Sequence, residues 1–246
     1  MSEWSPGAAN MPLTLLSAGA TGDPEADLLA GIELLHEVRS GARPATLRIY
    51  RPDPTLAFGQ RDVRLPGFTE AVAAAAAAGF APVVRKAGGR AAAYHRGTLI
   101  VDHIEPAAEA MVGHQHRFKA LGGLYARALR TLGVDAGVGE LPGEYCPGEY
   151  SVHGRPGAGS TAGSPVKLVG TAQRVVSGAW LFASVFVVED SAPLRAVLSD
   201  VYGAMGLPLD PATAGSVEDL VPGATVADVE AALLDAYATA VGVSGR

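Results

Sequence analysis

The chain has 246 residues, 48% of them hydrophobic and only 18% charged, with a formal net charge of −6 and a single cysteine. That length and apolar content suit one large domain with a sizeable core and exclude general disorder. A mildly acidic balance argues against nucleic-acid binding, which needs clustered Lys and Arg, and a lone Cys excludes an internal disulfide or a multi-cysteine metal centre.

The opening twenty residues, MSEWSPGAANMPLTLLSAGA, lack a basic start followed by a long apolar run, so they are expected to be flexible and no signal peptide is predicted. Asp23-Pro24 predicts the start of a helix carrying Leu28, Leu29, Ile32, Leu35 and Val38 on one face, with Gly41 beyond its end. Leu47 to Tyr50 reads as a strand stopped by Arg51-Pro52-Asp53-Pro54, and Leu56-Ala57-Phe58-Gly59 follows. Thr69 is the expected cap of a helix through the alanine run 71–78, which ends at Gly79. Val83-Val84-Arg85 reads as a strand running into Gly88-Gly89, and Thr98 to Ile104 as another with alternating apolar and polar residues.

Helical spacing returns from His114 to Leu132 through Phe118, Leu121, Tyr125 and Leu129. Val134 to Val188 holds four or five strand candidates and no helix. It is interrupted by a Gly/Ser/Pro-rich segment, 154–165, expected to be a mobile hairpin loop. The longest apolar stretch, Ala179 to Val188, is too short to span a bilayer. With a single Cys suited to a reducing compartment, a cytoplasmic protein without membrane contact is expected. Leu194 to Met205 and Thr225 to Ala240 are the last predicted helices, the second opened by a Thr225/Asp228 capping-box variant. Helices interleave with strands early and strands cluster later. That order predicts an α+β fold, a mixed and largely antiparallel sheet flanked by helices, in a single domain over 1–246.

Three segments carry candidate chemistry. In Val83 to His95, the pair Gly88-Gly89 lets backbone N–H groups approach a ligand beside Arg85, Lys86 and Arg90; the alternative is an ordinary turn with a solvated basic face. In Gly143 to Val152, Cys146 sits among Pro, Gly and Glu, so it is either a small core residue or a reactive thiol on a loop. Glu144 and Glu149 would raise its pKa unless a cation compensates. In Val166 to Arg174, Lys167 interrupts an apolar strand; it is either an edge residue pointing to water or a buried ammonium needing a partner. His95 either orients a loop or contacts substrate. His114 and His116 are two residues apart and fall on different faces of a helix, and His36, His103 and His153 add no ligand spacing, so no metal site is predicted.

In this order the segments resemble the lipoate–protein ligase and octanoyltransferase family, within the biotin/lipoate protein ligase superfamily. Arg85-Lys86-Ala87-Gly88-Gly89-Arg90 to His95 looks like the family's basic, Gly-rich turn, and Lys167-Leu168-Val169-Gly170-Thr171-Ala172-Gln173-Arg174 is similar to its Lys-x-x-Gly signature. Arg51-Pro52 to Gly59-Gln60 looks like the family's strand–turn near the pocket mouth, and the similarity runs from about Leu28 to Ala240. Tyr145-Cys146-Pro147-Gly148-x-Tyr150 resembles the nucleophile segment of the cysteine-dependent lipoyl or octanoyl amidotransferases.

The resemblance implies a biotin/lipoate protein ligase-like catalytic domain and an acyltransferase. It would move an octanoyl or lipoyl group to the acceptor lysine of a lipoyl carrier, either the glycine-cleavage H protein or a 2-oxoacid dehydrogenase lipoyl domain. Cys146 and Lys167 become the implied catalytic residues, Cys146 as acyl-enzyme nucleophile and Lys167 as the cation favouring its thiolate and later the acyl carbonyl. Arg85, Gly88, Gly89, Arg90, Ala91, His95, Gly170, Thr171 and Ala172 are the implied substrate-binding residues. If segment 154–165 closes a hairpin, Lys167 pairs near Val152 and Cys146 lies beyond, nearer Gln173. Amidotransfer of this kind requires no cofactor.

The sequence departs from the family pattern at Lys86, Arg90 and Gly97-Thr98, and Ala179 to Ser184 lacks the His-Gly that often follows the lysine strand. Two alternatives therefore stand beside the transferase. One is an ATP- and Mg-dependent lipoate ligase with Lys167 holding the acyl-adenylate; the other is a non-catalytic acyl- or partner-binding homologue.

Overall fold

A computed structural model describes residues 12–155 and 164–244. The first strand, β1 (Leu13–Ala18), lies in the main sheet, which corrects the expectation that the whole opening segment is flexible; residues 1–11 lie outside the described residues. Helix α1 (Pro24–Ser40) begins as the sequence indicates, the Asp23 carboxylate accepting the Glu25 and Ala26 N–H groups, and Gly41 closes it in the left-handed conformation. Strands β2 (Thr46–Tyr50) and β3 (Thr55–Phe58) follow. Helix α2 (Phe68–Ala77) starts from Gly67 without a side-chain cap, so Thr69 lies inside its first turn and does not cap it.

Next come β4 (Ala81–Val84), β5 (Ala92–Tyr94), β6 (Thr98–Ala107), α3 (His114–Thr131), β7 (Asp135–Val138) and β8 (Val152–Arg155). Gly154 and Arg155 thus belong to a strand, not to the expected loop, whose residues 156–163 lie outside the described residues. The chain continues through β9 (Val166–Val176), β10 (Gly178–Val187), α4 (Ser191–Ala204), α5 (Val217–Leu220), α6 (Val226–Ala240) and β11 (Val243–Ser244). The Thr225/Asp228 capping box is present at α6.

Among the described residues, eight strands form the main sheet in the order β11-β1-β2-β6-β10-β9-β8-β7, parallel only where β1 pairs with β11 and β2. The predicted mixed, largely antiparallel sheet is therefore present. A second sheet, β4-β3-β5, was not legible in the sequence. Helices α3 and α6 cover one face of the main sheet, burying Leu121, Leu129, Val229 and Leu233 with Leu47, Val101 and Phe182. Each such side chain contributes roughly 1.5–3 kcal/mol by leaving water. On the opposite face α1 packs Leu35 and Val38 against Ile104 and Leu181. The small sheet, α2 and α4 form a third cluster around Phe58, Ala71, Ala75 and Leu198.

Strand β6 is present as expected and is buried on both faces through Glu105, its polar residues included. Polar side chains within it must therefore find partners inside the protein. Two adjacent rows cross the sheet under α1: Tyr50, Ile100, Val185 and Gly170, then Arg48, Asp102, Ala183 and Ala172. The small residues at the β9 and β10 ends of these rows cannot fill the space between sheet, α1 and the small sheet. A cleft results. Among the described residues no helix is long and apolar enough to cross a membrane.

Candidate active site

The cleft opens between α1, the main sheet and the small sheet. Leu28, Gly31 and Ile32 of α1 form one wall, Ile100, Leu181, Ala183 and Val185 the floor, and Ala92, Tyr94 and Tyr145 another wall. Arg85, Lys86 and Cys146 lie at one part of its lining, with Gly170, Thr171 and Ala172 alongside. Such an apolar channel suits a hydrocarbon chain, each buried methylene being worth about 0.8 kcal/mol.

Cys146 sits in the loop between β7 and β8, half-buried, with a left-handed φ of 44° that non-glycine residues seldom adopt. Four partners hold it there. Its N–H donates to the Tyr202 hydroxyl at 2.7 Å, and its carbonyl accepts from the Lys167 ammonium at 2.9 Å. Its sulfur accepts the Arg90 N–H at 3.1 Å and lies 3.7 Å from the Arg85 guanidinium. Gly89, at φ 99°, makes this approach feasible: a Cβ there would stand 2.8 Å from the sulfur and 2.6 Å from the guanidinium.

Lys167 is fully buried near the start of β9, and its placement corrects the expected one. Its ammonium donates to the carbonyls of Tyr145 (2.8 Å) and Cys146, lies over the Tyr145 ring and stands 3.5 Å from a Glu144 oxygen; it does not line the cleft. The cation within reach of the sulfur is Arg85, at 3.7 Å, while the Lys167 charge acts on the same thiol without a hydrogen bond to it. Lys167 pairs with His153 and Val152 with Val169, as the hairpin expectation required, but the 139–151 loop doubles back so that Cys146 lies over Lys167 and not further along toward Gln173. Glu144 is turned under the same loop, accepting from Gly148 N–H and the Ser151 hydroxyl, while Glu149 is exposed.

Burial lowers the Lys167 pKa from the usual lysine value, with Cys146 and Glu144 opposing that shift. Burial also works against the Arg85 charge, but Tyr94 and Cys146 more than offset it, so the guanidinium stays ionised beside the sulfur. Arg85 further donates to the Arg90 carbonyl and to the Tyr94 hydroxyl, whose pKa is raised chiefly by burial.

Of the residues anticipated for substrate binding, Arg85, Gly170, Thr171 and Ala172 line the cleft, and Gly89 and Arg90 pack on the sulfur. Arg90 itself is tied to buried Asp62 at 3.0 Å. Ala91 is buried, its carbonyl accepting from Tyr202, and Gly88 is exposed at the turn. His95 lies apart from the cleft and orients a loop: one ring nitrogen accepts the Gly97 N–H and the other meets the Asp190 carbonyl. Sequence reasoning missed Tyr202, Tyr94 and Asp102. The last is buried in the cleft wall with its carboxylate 3.0 Å from Arg48, its pKa raised by burial against the pull of Arg48.

A helix-flanked, largely antiparallel sheet thus holds a thiol at the lining of an apolar cleft. The chain belongs to the lipoyl protein ligase A/B catalytic domain family, whose profile matches residues 23–238. It is 30% identical over 169 residues to the octanoyl-GcvH:protein N-octanoyltransferase of Geobacillus kaustophilus, spanning 69% of this chain and 56% of that protein. The chain spans about half the length of the curated relatives it matches. A crystal structure of lipoate-protein ligase A bound with ATP superposes with a TM-score of 0.73 at 20% identity, covering 96% of this chain and 88% of that one. A T. acidophilum protein assigned as a lipoate protein ligase, with bound lipoic acid, gives 0.73 at 22% identity and the same coverages. These two likenesses concern the fold.

Proposed function

We propose that this chain is an acyltransferase that moves an octanoyl or lipoyl group to the acceptor lysine of a lipoyl carrier through a thioester on Cys146. One observation carries it: the Cys146 sulfur lies on an apolar cleft while accepting a backbone N–H and facing a guanidinium. Those donors favour the thiolate and then the charge developing on the acyl carbonyl oxygen. The name of the Geobacillus kaustophilus relative, an N-octanoyltransferase acting from octanoyl-GcvH, supports the same chemistry.

The thiolate attacks the amide carbonyl of the acylated donor carrier, forming the S–C bond. The C–N bond then breaks, and the donor lysine leaves as an amine that takes its proton from solvent. The acceptor lysine, as free amine, attacks the thioester; the C–S bond breaks, the thiolate returns, and the nitrogen gives up one proton to solvent. Arg85, Gly170, Thr171 and Ala172 line the bound chain, Gly89 and Arg90 shape the sulfur's surroundings, and Lys167 holds the loop that carries the nucleophile. Donor and acceptor are lipoyl carriers such as the glycine-cleavage H protein or a 2-oxoacid dehydrogenase lipoyl domain. The exchange of one amide for another needs no ATP or metal. A free thiol as nucleophile suits the cytoplasm.

The test mixes purified chain, octanoyl-loaded H protein and unmodified lipoyl domain without ATP. The lipoyl domain is expected to gain the octanoyl group, and Cys146→Ala to abolish the gain. Transfer that needs free acid and ATP, or that survives Cys146→Ala, overturns the proposal.

A further inference from the structure

We infer that Tyr202, a core residue of α4, is a positioning residue that aligns the Arg90 N–H with the Cys146 sulfur. The inference rests on the thiol chemistry proposed above. The hydroxyl makes two bonds at once: it accepts the Cys146 N–H at 2.7 Å and donates to the Ala91 carbonyl at 2.9 Å. Ala91 directly follows Arg90, whose own N–H reaches the sulfur at 3.1 Å. One buried oxygen therefore ties together the two segments that meet at the thiol, which lie 56 residues apart in sequence.

Geometry explains why such a tie is needed. Cys146 is held at a φ of 44°, a conformation that costs a non-glycine residue energy and relaxes once its partners are removed. Lys167 fixes the carbonyl side of this residue, and Tyr202 fixes the N–H side. The turn that presents the Arg90 N–H contains Gly88 and Gly89, so its backbone has little stiffness of its own. Without the hydroxyl, the Cys146 N–H and the Ala91 carbonyl lose their shared partner, and the N–H to sulfur distance is no longer set from both sides. The Tyr202 ring, packed in the α4 cluster, keeps its place.

Tyr202→Phe removes only the hydroxyl. The rate of Cys146 alkylation by iodoacetamide is measured against pH for both proteins, and the rate of acyl-enzyme formation from octanoyl-loaded H protein is compared at saturating donor. The pH midpoint of alkylation is expected to move upward, and acyl-enzyme formation to slow by about tenfold, the scale of one or two lost hydrogen bonds. The KM for the donor stays close to wild type, because the hydroxyl does not line the cleft. In the wild-type chain, hydrogen exchange at the Cys146 amide is expected to be strongly slowed. An unchanged alkylation midpoint in Tyr202→Phe overturns the inference even if its melting temperature falls, and so does an unprotected Cys146 amide. Alkylation and exchange use no acyl donor. A wild-type chain that never accepts an acyl group therefore defeats the proposed function alone, leaving these two measurements to judge Tyr202.

Discussion

The Lys167 ammonium donates to the carbonyl oxygen of Cys146 at 2.9 Å, so a lysine of β9 fixes the backbone of the loop that carries Cys146 while the thiol meets the cleft. Buried with it, 3.5 Å away, is a Glu144 oxygen without a hydrogen-bond partner. Lys167→Met leaves that carboxylate uncompensated, and removing one member of a buried pair costs about 3–5 kcal/mol. Urea unfolding should register a loss of that order. Lys167→Met combined with Glu144→Gln should regain most of the stability but not the rate of acyl-enzyme formation. Equal stability of wild type and Lys167→Met would remove the ammonium from this role.

The same ammonium predicts a pH dependence. Burial, the largest influence, lowers its folded-state pKa below 10.5. Between that lowered value and 10.5 the unfolded chain holds the proton and the folded chain does not. More protons on the unfolded state mean that stability rises with pH across the window. The stability difference between wild type and Lys167→Met should therefore shift in favour of wild type as pH climbs through it. A difference flat with pH contradicts the burial of the charge.

Cleft size should set the chain accepted. Ala183 lines the floor between Asp102 and Ala172, and Ala183→Leu adds about three carbons there. Displacing about three methylenes at ~0.8 kcal/mol each comes to roughly 2.4 kcal/mol, or about fifty-fold. Acylation from an octanoyl donor should fall by that factor, and from a butyryl donor by less than about threefold. Equal losses for the two donors would mean that the chain does not lie over Ala183.

What the sequence revealed and what it hid divide along local and non-local physics. Helices α1 and α6 were legible because their caps, Asp23, Gly41 and the Thr225/Asp228 box, act within a few residues of themselves. Strand β1 was hidden because its parallel pairings are with β2 and β11, the latter at the far end of the chain. At the site, Cys146, Arg85 and the Gly88-Gly89 turn stood out by residue type and by family resemblance. Asp102 did not, since its partner Arg48 is 54 residues away and the strand around it read only as an alternation of apolar and polar residues. Tyr202 falls inside the predicted helix Leu194 to Met205, and nothing local marks its contact with Cys146, 56 residues away. Lys167 was found, but not its hydrogen bonds, because sequence names a buried cation and not the carbonyls of Tyr145 and Cys146 that a folded-back loop brings to it.

Intact-mass spectrometry of the chain after mixing with octanoyl-loaded H protein addresses the central claim most directly. The account predicts a single added octanoyl group, mapped by peptide analysis to Cys146, labile to hydroxylamine as a thioester is, and discharged when unmodified lipoyl domain is added. An unmodified mass while octanoyl still reaches the lipoyl domain, or an adduct on any other residue that discharges in its place, would contradict it.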